Sequence, residues 1–216
     1  MGHSISRAGR AGRLNPQVEE RFLHGAREAA RFFMNKSNVH LALERLVDRL
    51  TELDIPYAIV GALSLNAYGY QRTTSDVDVL LRREDLEAFK KAYLGLGYGE
   101  KFPGSKGLRD ATQNVDIDVL LTGDYPGDGK EKPVAFPDPA SAAVRGERFA
   151  LLPLPTLIEL KVASGMTAPH RLRDLADVIE LIRENTLAES FSESLHPYVR
   201  EKFLELWQAA QAGDEE

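Results

Sequence analysis

Two aspartates, Asp76 and Asp78, stand two residues apart inside an otherwise apolar run, DVDVLL at 76–81. The alternation predicts a β-strand, and its period of two places both carboxylates on one face. Two adjacent anions repel each other, and a bound cation would relieve that repulsion. Oxygen ligands without histidine or cysteine nearby favour a hard ion, Mg²⁺ or Mn²⁺. For a single short motif, an acidic pair on the solvent face of an edge strand is the simpler alternative.

The acidic pattern occurs a second time, at Asp116 and Asp118 in the run VDIDVLL at 115–121. This run predicts another strand with both carboxylates on one face. If the two strands are neighbours, three or four carboxylates converge. The repetition therefore favours a metal site over the solvent face of an edge strand.

A glycine turn precedes the first acidic pair. Gly61 separates an apolar run at 57–60, predicted as a buried strand, from a helix predicted over 62–68. The free N–H groups and the positive dipole end at a helix start can bind phosphate. Arg72 follows, next to two threonines and a serine, and its placement suits neutralisation of phosphate oxygens. A surface loop cation is the alternative interpretation of this arginine.

Lys161 stands on the apolar stripe of a predicted C-terminal helix, with Ile158, Val162 and Gly165. A lysine in that position needs an anion. Either it reaches the triphosphate, or its side chain extends to water, which is the commoner arrangement.

The helix that follows carries several charged residues. Its apolar stripe is predicted to consist of Leu172, Leu175, Ala176, Ile179 and Ile182. Arg171 and Asp174 then share a different side of this helix, where an internal ion pair is the simplest interpretation of both.

The glycine turn and the first acidic pair together resemble a known signature. Gly61-Ala62, thirteen further residues and then Asp76-Val77-Asp78-Val79 are similar to the motif of the polymerase-β-like nucleotidyltransferase superfamily. The wider frame resembles the abortive-infection toxin branch and its uncharacterised bacterial relatives in the segments 62–66, 72–76, 160–164 and 171–177. The resemblance covers roughly residues 57–183 of the chain.

This resemblance implies an α+β fold, a small mixed β-sheet with helices packed on it. Apolar residues at helical spacing add an N-terminal helical pair, outside the resemblance, and a C-terminal helical tail. It implies that Mg²⁺, or Mn²⁺, is held by Asp76, Asp78 and a third carboxylate, Asp118, with Asp116 as the alternative. The implied nucleotide-binding residues are Gly61, Ala62, Ser64, Arg72, Lys161 and Asp174. Ala62 departs from the family pattern, which has glycine or serine at that position.

The implied reaction transfers a nucleoside monophosphate from a nucleoside triphosphate to a hydroxyl of an RNA, a protein or a small molecule. The resemblance of the segments 160–164 and 171–177 favours a toxin-like enzyme that works with a cognate antitoxin. An antibiotic nucleotidyltransferase is the alternative enzyme, since an acidic protein suits cationic drugs. The third hypothesis is a module of the same fold that binds a nucleotide or a partner without catalysis. The complete carboxylate set favours activity, whereas Ala62 leaves room for its loss.

The order of the predicted elements divides the chain into four parts. Residues 1–15 are expected to form a flexible arm, 16–54 two helices, 55–152 the nucleotidyltransferase core, and 153–216 a helical region packed on that core. The polar stretch 122–139 predicts a long loop over the site or a disordered one. Further elements are a helix over 84–94, a strand over 149–152, and C-terminal helices over 156–164, 170–184, 187–194 and 197–210.

Composition narrows the possible partners. The net charge of −6 over 216 residues argues against broad, charge-driven binding of nucleic acid, which requires a basic surface. The absence of cysteine excludes disulfides and thiolate metal sites and suits the cytoplasm. The sequence contains no run of 18 apolar residues, so it predicts no membrane span. Apolar residues on the early helices and over 187–210 either pack internally or form a homodimer.

Overall fold

The part of the chain that the structure describes comprises residues 38–146 and 149–212 of a computed structural model. The predicted flexible arm over 1–15 and the first of the two predicted N-terminal helices lie outside these residues. The second predicted helix is α1, Asn38–Glu52, which begins one residue before its first apolar position. Its buried side chains, among them Leu43, Leu46 and Leu50, face the sheet.

A mixed β-sheet forms the centre of the described residues. Its seven strands are β1 Ala58–Ile59, β2 Asp76–Leu81, β3 Tyr98–Glu100, β4 Leu108–Asp110, β5 Val115–Leu121, β6 Val144–Arg145 and β7 Ala150–Leu151. Their order across the sheet is β3-β4-β5-β2-β1-β7-β6. The pairs β2–β5 and β1–β7 are parallel, and the other neighbouring pairs are antiparallel. The α+β class and the mixed sheet predicted from the sequence are confirmed.

The two acidic strands are neighbours at the middle of this sheet. β2 and β5 run parallel over six paired positions, from Asp76 opposite Asp116 to Leu81 opposite Leu121. Valine, isoleucine and leucine dominate both strands, as expected for strands buried by packing on a face. The carboxylates were predicted to converge if the two strands are neighbours. That condition is met.

Helices surround the sheet. The remaining α-helices of the described residues are α2 Gly61–Ala67, α3 Arg83–Tyr93, α4 Pro139–Ala142, α5 Leu154–Thr167, α6 Leu172–Glu184 and α7 Pro197–Ala212. The three C-terminal helices α5, α6 and α7 pack on one another. Two short 3₁₀ helices, Pro169–Arg171 and Glu189–Ser194, precede α6 and α7. Within the described residues, no helix is both long and apolar enough to cross a membrane.

The structure corrects several predicted elements. Strands β3, β4 and β6 were not predicted, because two or three residues are too few to show a period of two. The helix predicted over 187–194 is a 3₁₀ helix over Glu189–Ser194. The predicted loop over 122–139 holds without a strand or helix until α4 begins at its last residue.

The apolar stripe predicted for α6 was also wrong in part. Leu172 is 64% exposed, and the buried apolar residues are Val178, Leu181 and Ile182. The fourth buried member of this face is an acid, Asp177. A pattern that assigns every aspartate to the solvent side misplaces the stripe, since an acid with a buried cationic partner belongs to the interior.

Candidate active site

The carboxylates of β2 and β5 share one face of the sheet. Asp76 is registered opposite Asp116 and Asp78 opposite Asp118. The residues that alternate with them on both strands point into the core, where Val77, Val79, Ile117 and Val119 are almost completely buried. The alternation in sequence thus divides each strand into an apolar side that stabilises the fold and an acidic side that faces a cavity.

The turn before α2 is built against Asp78. The N–H of Val60 donates a hydrogen bond of 3.0 Å to the carbonyl oxygen of Asp78, which fixes the end of β1 beside β2. Gly61 then adopts a φ of +64°. A Cβ atom at Gly61 would lie 1.8 Å from Oδ2 of Asp78, so glycine alone fits at this turn.

Asp78 lies in the most unfavourable environment of these carboxylates for a negative charge. Burial, followed by the nearby charges of Asp76 and Asp118, raises the pKa of Asp78 to about 6. The positive charges of Lys161 and Arg171 act in the opposite direction and are the weaker influence. The site therefore lacks positive charge around Asp78 when only protein groups are counted.

The other strand carboxylates have protein partners. Thr74 donates a hydrogen bond from its hydroxyl to Asp76. Nζ of Lys101 lies 2.8 Å from Oδ1 of Asp118 and 3.3 Å from Oδ2 of Asp116. Lys101 was not a predicted site residue, because it lies in the connection between β3 and β4, whose strands gave no signal in the sequence.

Asp116 differs from Asp118 in its second partner. Besides Lys101, Asp116 accepts a hydrogen bond of 2.6 Å from Nη1 of Arg109 on β4. The side chain of Asp118 is 45% exposed and Asp118 lines the cavity, whereas Asp116 is not among the residues that line it. The position of Asp118 is the better one for a third functional carboxylate.

A buried charge cluster lies on the helical side of the cavity. Lys161, only 8% exposed, places its Nζ 2.7 Å from Oδ2 of Asp177 and 3.0 Å from Oδ1 of Asp174. Nη1 of Arg72 lies 2.7 Å from the same Oδ2 of Asp177. The expectation that Lys161 occupies the interior and needs an anion is confirmed, and the anions are two acids of α6.

Asp177 is the acid that the sequence analysis missed. It is 1% exposed, and its second oxygen, Oδ1, has no hydrogen-bond partner among the described residues. Its spacing of three from Asp174 places both acids on one side of a helix, and the lysine on the neighbouring helix required an anion. These two signals together could have identified it.

Asp174 pairs differently from the prediction. Its ionic partner is Lys161, and Oδ2 accepts a hydrogen bond of 2.6 Å from Ser164, in place of the predicted ion pair with Arg171. Burial favours a higher pKa for Asp174, but the charge of Lys161 and the hydrogen bonds from Ser164 and Lys161 outweigh it and lower the pKa. Arg171 is exposed and contributes only through its more distant charge, since it belongs to the 3₁₀ turn before α6.

Several of these residues line one cavity of about 810 Å³. Of the predicted site residues, the cavity lining includes Gly61, Ala62, Arg72, Asp76, Asp78, Asp118, Lys161 and Asp174. Ser64 is not part of the lining: it is buried, and its hydroxyl donates a hydrogen bond of 2.8 Å to the carbonyl oxygen of Gly61. Apolar and aromatic residues also line the cavity, among them Leu120, Tyr125, Phe136, Leu157 and Leu160.

The polar segment 123–136 closes one side of the cavity. Nζ of Lys132, whose side chain is only 5% exposed, donates to the carbonyl oxygen of Pro126, to Asp128 and to the hydroxyl of Thr167 on α5. A Cβ atom at Gly127 would lie 2.7 Å from the carbonyl oxygen of Ser164, so the segment rests on α5. Of the two predicted forms of this loop, the structure shows the one placed over the site.

The acidic face has the donor chemistry of a site for a hard divalent cation. Asp76, Asp78 and Asp118 offer carboxylate oxygens alone, the ligands that a hard divalent cation prefers. As the side chains are placed, no three acids, histidines or cysteines of the described residues are arranged to hold a metal ion. In this arrangement Asp76 accepts a hydrogen bond from Thr74, and Asp118 accepts one from Lys101.

Comparisons with known proteins give a fold similarity only. The sequence matches no family model and no curated protein. The crystal structure of ANT(2″)-Ia in complex with adenylyl-2″-tobramycin aligns over 81% of this chain and 97% of its own, with 15% identity and a TM-score of 0.46. The solution structure of the antibiotic-resistance factor ANT(2″)-Ia aligns over 82% of this chain and 94% of its own, with 16% identity and a TM-score of 0.45. The overlap is modest, so function has to be argued from the cavity itself.

Proposed function

We propose that this chain is a divalent-metal-dependent nucleotidyltransferase that moves a nucleoside monophosphate from a nucleoside triphosphate to a hydroxyl group. The observation that carries the proposal is the register of β2 and β5. It aligns Asp78 with Asp118, beside Asp76 and the Gly61 turn, on the wall of a cavity that four cationic residues also line. Acids on one wall and cations on another suit a metal–triphosphate complex.

In this proposal the strand carboxylates bind the cation. Asp76, Asp78 and Asp118 would hold Mg²⁺ or Mn²⁺, which neutralises charge on the triphosphate and on the leaving group when bound. The Asp118 side chain is 45% exposed and would receive the proton of the attacking hydroxyl.

The cations on the helical side would bind phosphate oxygens. Lys161 and Arg72 both line the cavity, and Asp177 holds them in place from behind. Arg171, which also lines the cavity, was not predicted to bind nucleotide and adds a third positive charge there. Gly61 and Ala62 would approach the phosphates through their backbone, and Ala62 provides an N–H group as glycine or serine would.

The chemical step is an in-line displacement at the α-phosphorus. The hydroxyl oxygen of the acceptor forms a bond to the α-phosphorus while the bond to the oxygen that bridges to the β-phosphorus breaks. Pyrophosphate leaves with that oxygen, and the hydroxyl proton passes to Asp118. The protein contributes positioning and charge compensation and forms no covalent bond with the substrate.

A label-transfer experiment tests the proposal. The protein is incubated with Mg²⁺ and each α-³²P-labelled nucleoside triphosphate, and the variants Asp76→Asn and Asp78→Asn are compared with the wild type. Both variants are expected to lose roughly 10³-fold or more of kcat/KM, because the charge compensation of the transition state depends on the metal site. Asp54→Asn, which removes an exposed carboxylate from the turn after α1, is the matched control.

Two results would contradict the proposal in different ways. If the wild type neither transfers label nor binds triphosphate in a Mg²⁺-dependent manner, the enzyme assignment fails and the non-catalytic module is favoured. If label transfer survives in both variants, the chemistry lies elsewhere in the chain.

The acceptor is left to the same assay. Total RNA, a protein extract and an aminoglycoside are added in separate reactions, which correspond to the three acceptor classes predicted from the sequence. Label in RNA or protein supports a toxin-like enzyme, and label on the drug supports an antibiotic nucleotidyltransferase. Binding of a cognate antitoxin and formation of a homodimer stay predictions.

A further inference from the structure

We propose that Lys101 is a counter-ion of the acidic face. Its ammonium group pairs with the third carboxylate, Asp118, until a divalent cation displaces it, and this competition sets the metal affinity of the site. This inference rests on the proposed function, because it requires that Asp118 bind the metal. It adds a residue from the β3–β4 connection, a part of the chain that no motif had singled out.

The contacts of Lys101 place its charge between the two acids of β5. Nζ lies 2.8 Å from Oδ1 of Asp118 and 3.3 Å from Oδ2 of Asp116. Since Asp118 is registered opposite Asp78, the ammonium group lies beside the carboxylate set where a metal ion would be expected. A single ammonium charge and a divalent ion would therefore compete for Asp118.

The β3–β4 connection is shaped to hold this side chain. The N–H of Lys101 donates 3.1 Å to the carbonyl oxygen of Gly107, which closes the turn. A Cβ atom at Gly107 would lie 2.7 Å from Cδ of Lys101, so glycine leaves room for the lysine stem to cross the turn. Lys90 on α3 fixes the same turn through hydrogen bonds of 2.8 Å to Glu100 and to the carbonyl oxygen of Ser105.

The pair between Lys101 and Asp118 is weak enough to be displaced. The side chains are 28% and 45% exposed, and ion pairs with such exposure are screened by water. Lys101 donates its hydrogen bond to Asp118 as a charged ammonium group, so it has to leave as a cation. A divalent ion, which interacts with the whole carboxylate set, outcompetes one ammonium group.

Binding of Mn²⁺ alone to the full chain tests the inference without using activity. Free Mn²⁺ is measured by electron paramagnetic resonance at low ionic strength for the wild type, Lys101→Met and Lys101→Arg. Methionine keeps an aliphatic stem without the charge, and Lys101→Met is expected to bind Mn²⁺ about three- to tenfold more tightly. Lys101→Arg keeps the charge and is expected to stay within about twofold of the wild type.

Lys106→Met is the matched control. Lys106 comes from the same turn, but its Nζ lies 3.1 Å from Asp124 and contacts none of the strand carboxylates. Its removal takes away one positive charge near the cavity, and it is expected to tighten Mn²⁺ binding by less than about twofold.

Reciprocal linkage provides a second readout. If the metal displaces the amine, saturating Mn²⁺ should increase the rate at which an amine-acylating reagent modifies Lys101, as followed by mass spectrometry. The rate at Lys106 is expected to stay constant.

The possible outcomes separate the two proposals. Tighter binding by Lys101→Met alone, with faster acylation of Lys101, supports the counter-ion role. Binding of Mn²⁺ by the wild type with no change in Lys101→Met, or with the same change in Lys106→Met, overturns the counter-ion role and leaves the proposed function intact. No binding of Mn²⁺ by any of these proteins overturns both.

Discussion

The backbone of Gly61 lies directly against the carboxylate of Asp78. The space that a Cβ atom would take at Gly61 is filled by Oδ2, Cγ and Cβ of Asp78. This contact brings the glycine turn and the first acidic pair together at one point in space. The glycine is therefore required for the position of a carboxylate as well as for the backbone turn.

Gly61→Ala should displace Asp78. The positive φ and the steric overlap are together expected to lower the free energy of unfolding by roughly 2–4 kcal/mol. Misplacement of the carboxylate is expected to lower kcat/KM by about 100-fold. Urea denaturation and the label-transfer assay measure the two effects.

Gly104→Ala is the control for this substitution. Gly104 has a φ of +78° and no heavy atom within 4 Å of a Cβ position, so it isolates the backbone cost of about 1–2 kcal/mol. Equal losses of stability in the two variants, with activity retained in Gly61→Ala, would show that the contact with Asp78 is unimportant.

The sequence predicted the acidic half of the cavity because that half depends on local periodicity. A period of two in DVDVLL and VDIDVLL is enough to predict two strands and the face on which their acids lie. The family spacing then linked Gly61 to the first strand. Both predictions could be made without knowing which strands pair. The convergence of the two acidic pairs, in contrast, depends on that pairing.

The rest of the candidate site depends on contacts between distant segments. Lys101 reaches Asp118 from a hairpin whose strands are three residues long, so no periodicity predicts the contact. Asp177 joins Arg72 across 105 residues of sequence. Burial of an acid by two cations from separate elements follows from packing in three dimensions, which the pattern along one helix does not contain.

Asp78→Asn should stabilise the metal-free protein while it removes activity. The folded-state pKa of Asp78, about 6, lies above the ordinary value of an aspartate, 3.8, so protonation favours folding. This contribution is fully present below about pH 4 and is lost as the pH rises through 6. At pH 7.5 the neutral asparagine is expected to raise the free energy of unfolding by roughly 2–3 kcal/mol.

The pH dependence distinguishes this effect from a general change of packing. Urea denaturation in the presence of a chelator is measured for the wild type and Asp78→Asn between pH 4.5 and 8. The difference between the two proteins should grow from pH 4.5 to about 6 and level off above about 7. A difference that is constant over this range would contradict the assigned charge effect.

Asp177→Ala should destabilise the fold strongly. Lys161 and Arg72 both lie 2.7 Å from Oδ2 of Asp177, and its loss leaves the buried lysine with Asp174 as its remaining acidic partner. The expected cost is about 3–5 kcal/mol, typical of breaking a buried ion pair from one side. Urea denaturation measures it.

A surface pair on the same helix gives the comparison for Asp177. Glu180 lies 3.2 Å from Arg183 with both side chains about one-third exposed. Glu180→Ala is expected to cost less than about 1 kcal/mol. If Asp177→Ala costs no more than this control, the charge cluster does not stabilise the protein.

Lys132→Met should loosen the segment over the cavity without unfolding the protein. The lysine bonds to Pro126, Asp128 and Thr167, and the loss of these bonds is expected to increase amide hydrogen exchange in 123–136 roughly tenfold.

Lys130→Met is the control, because Lys130 is exposed and bonds to Asp128 through its backbone N–H, which methionine retains. Hydrogen exchange followed by mass spectrometry gives both rates. If Lys132→Met leaves exchange in this segment at the wild-type rate, the segment is held over the cavity by its other contacts with α5, such as the close approach of Gly127 to Thr167 and Ser164.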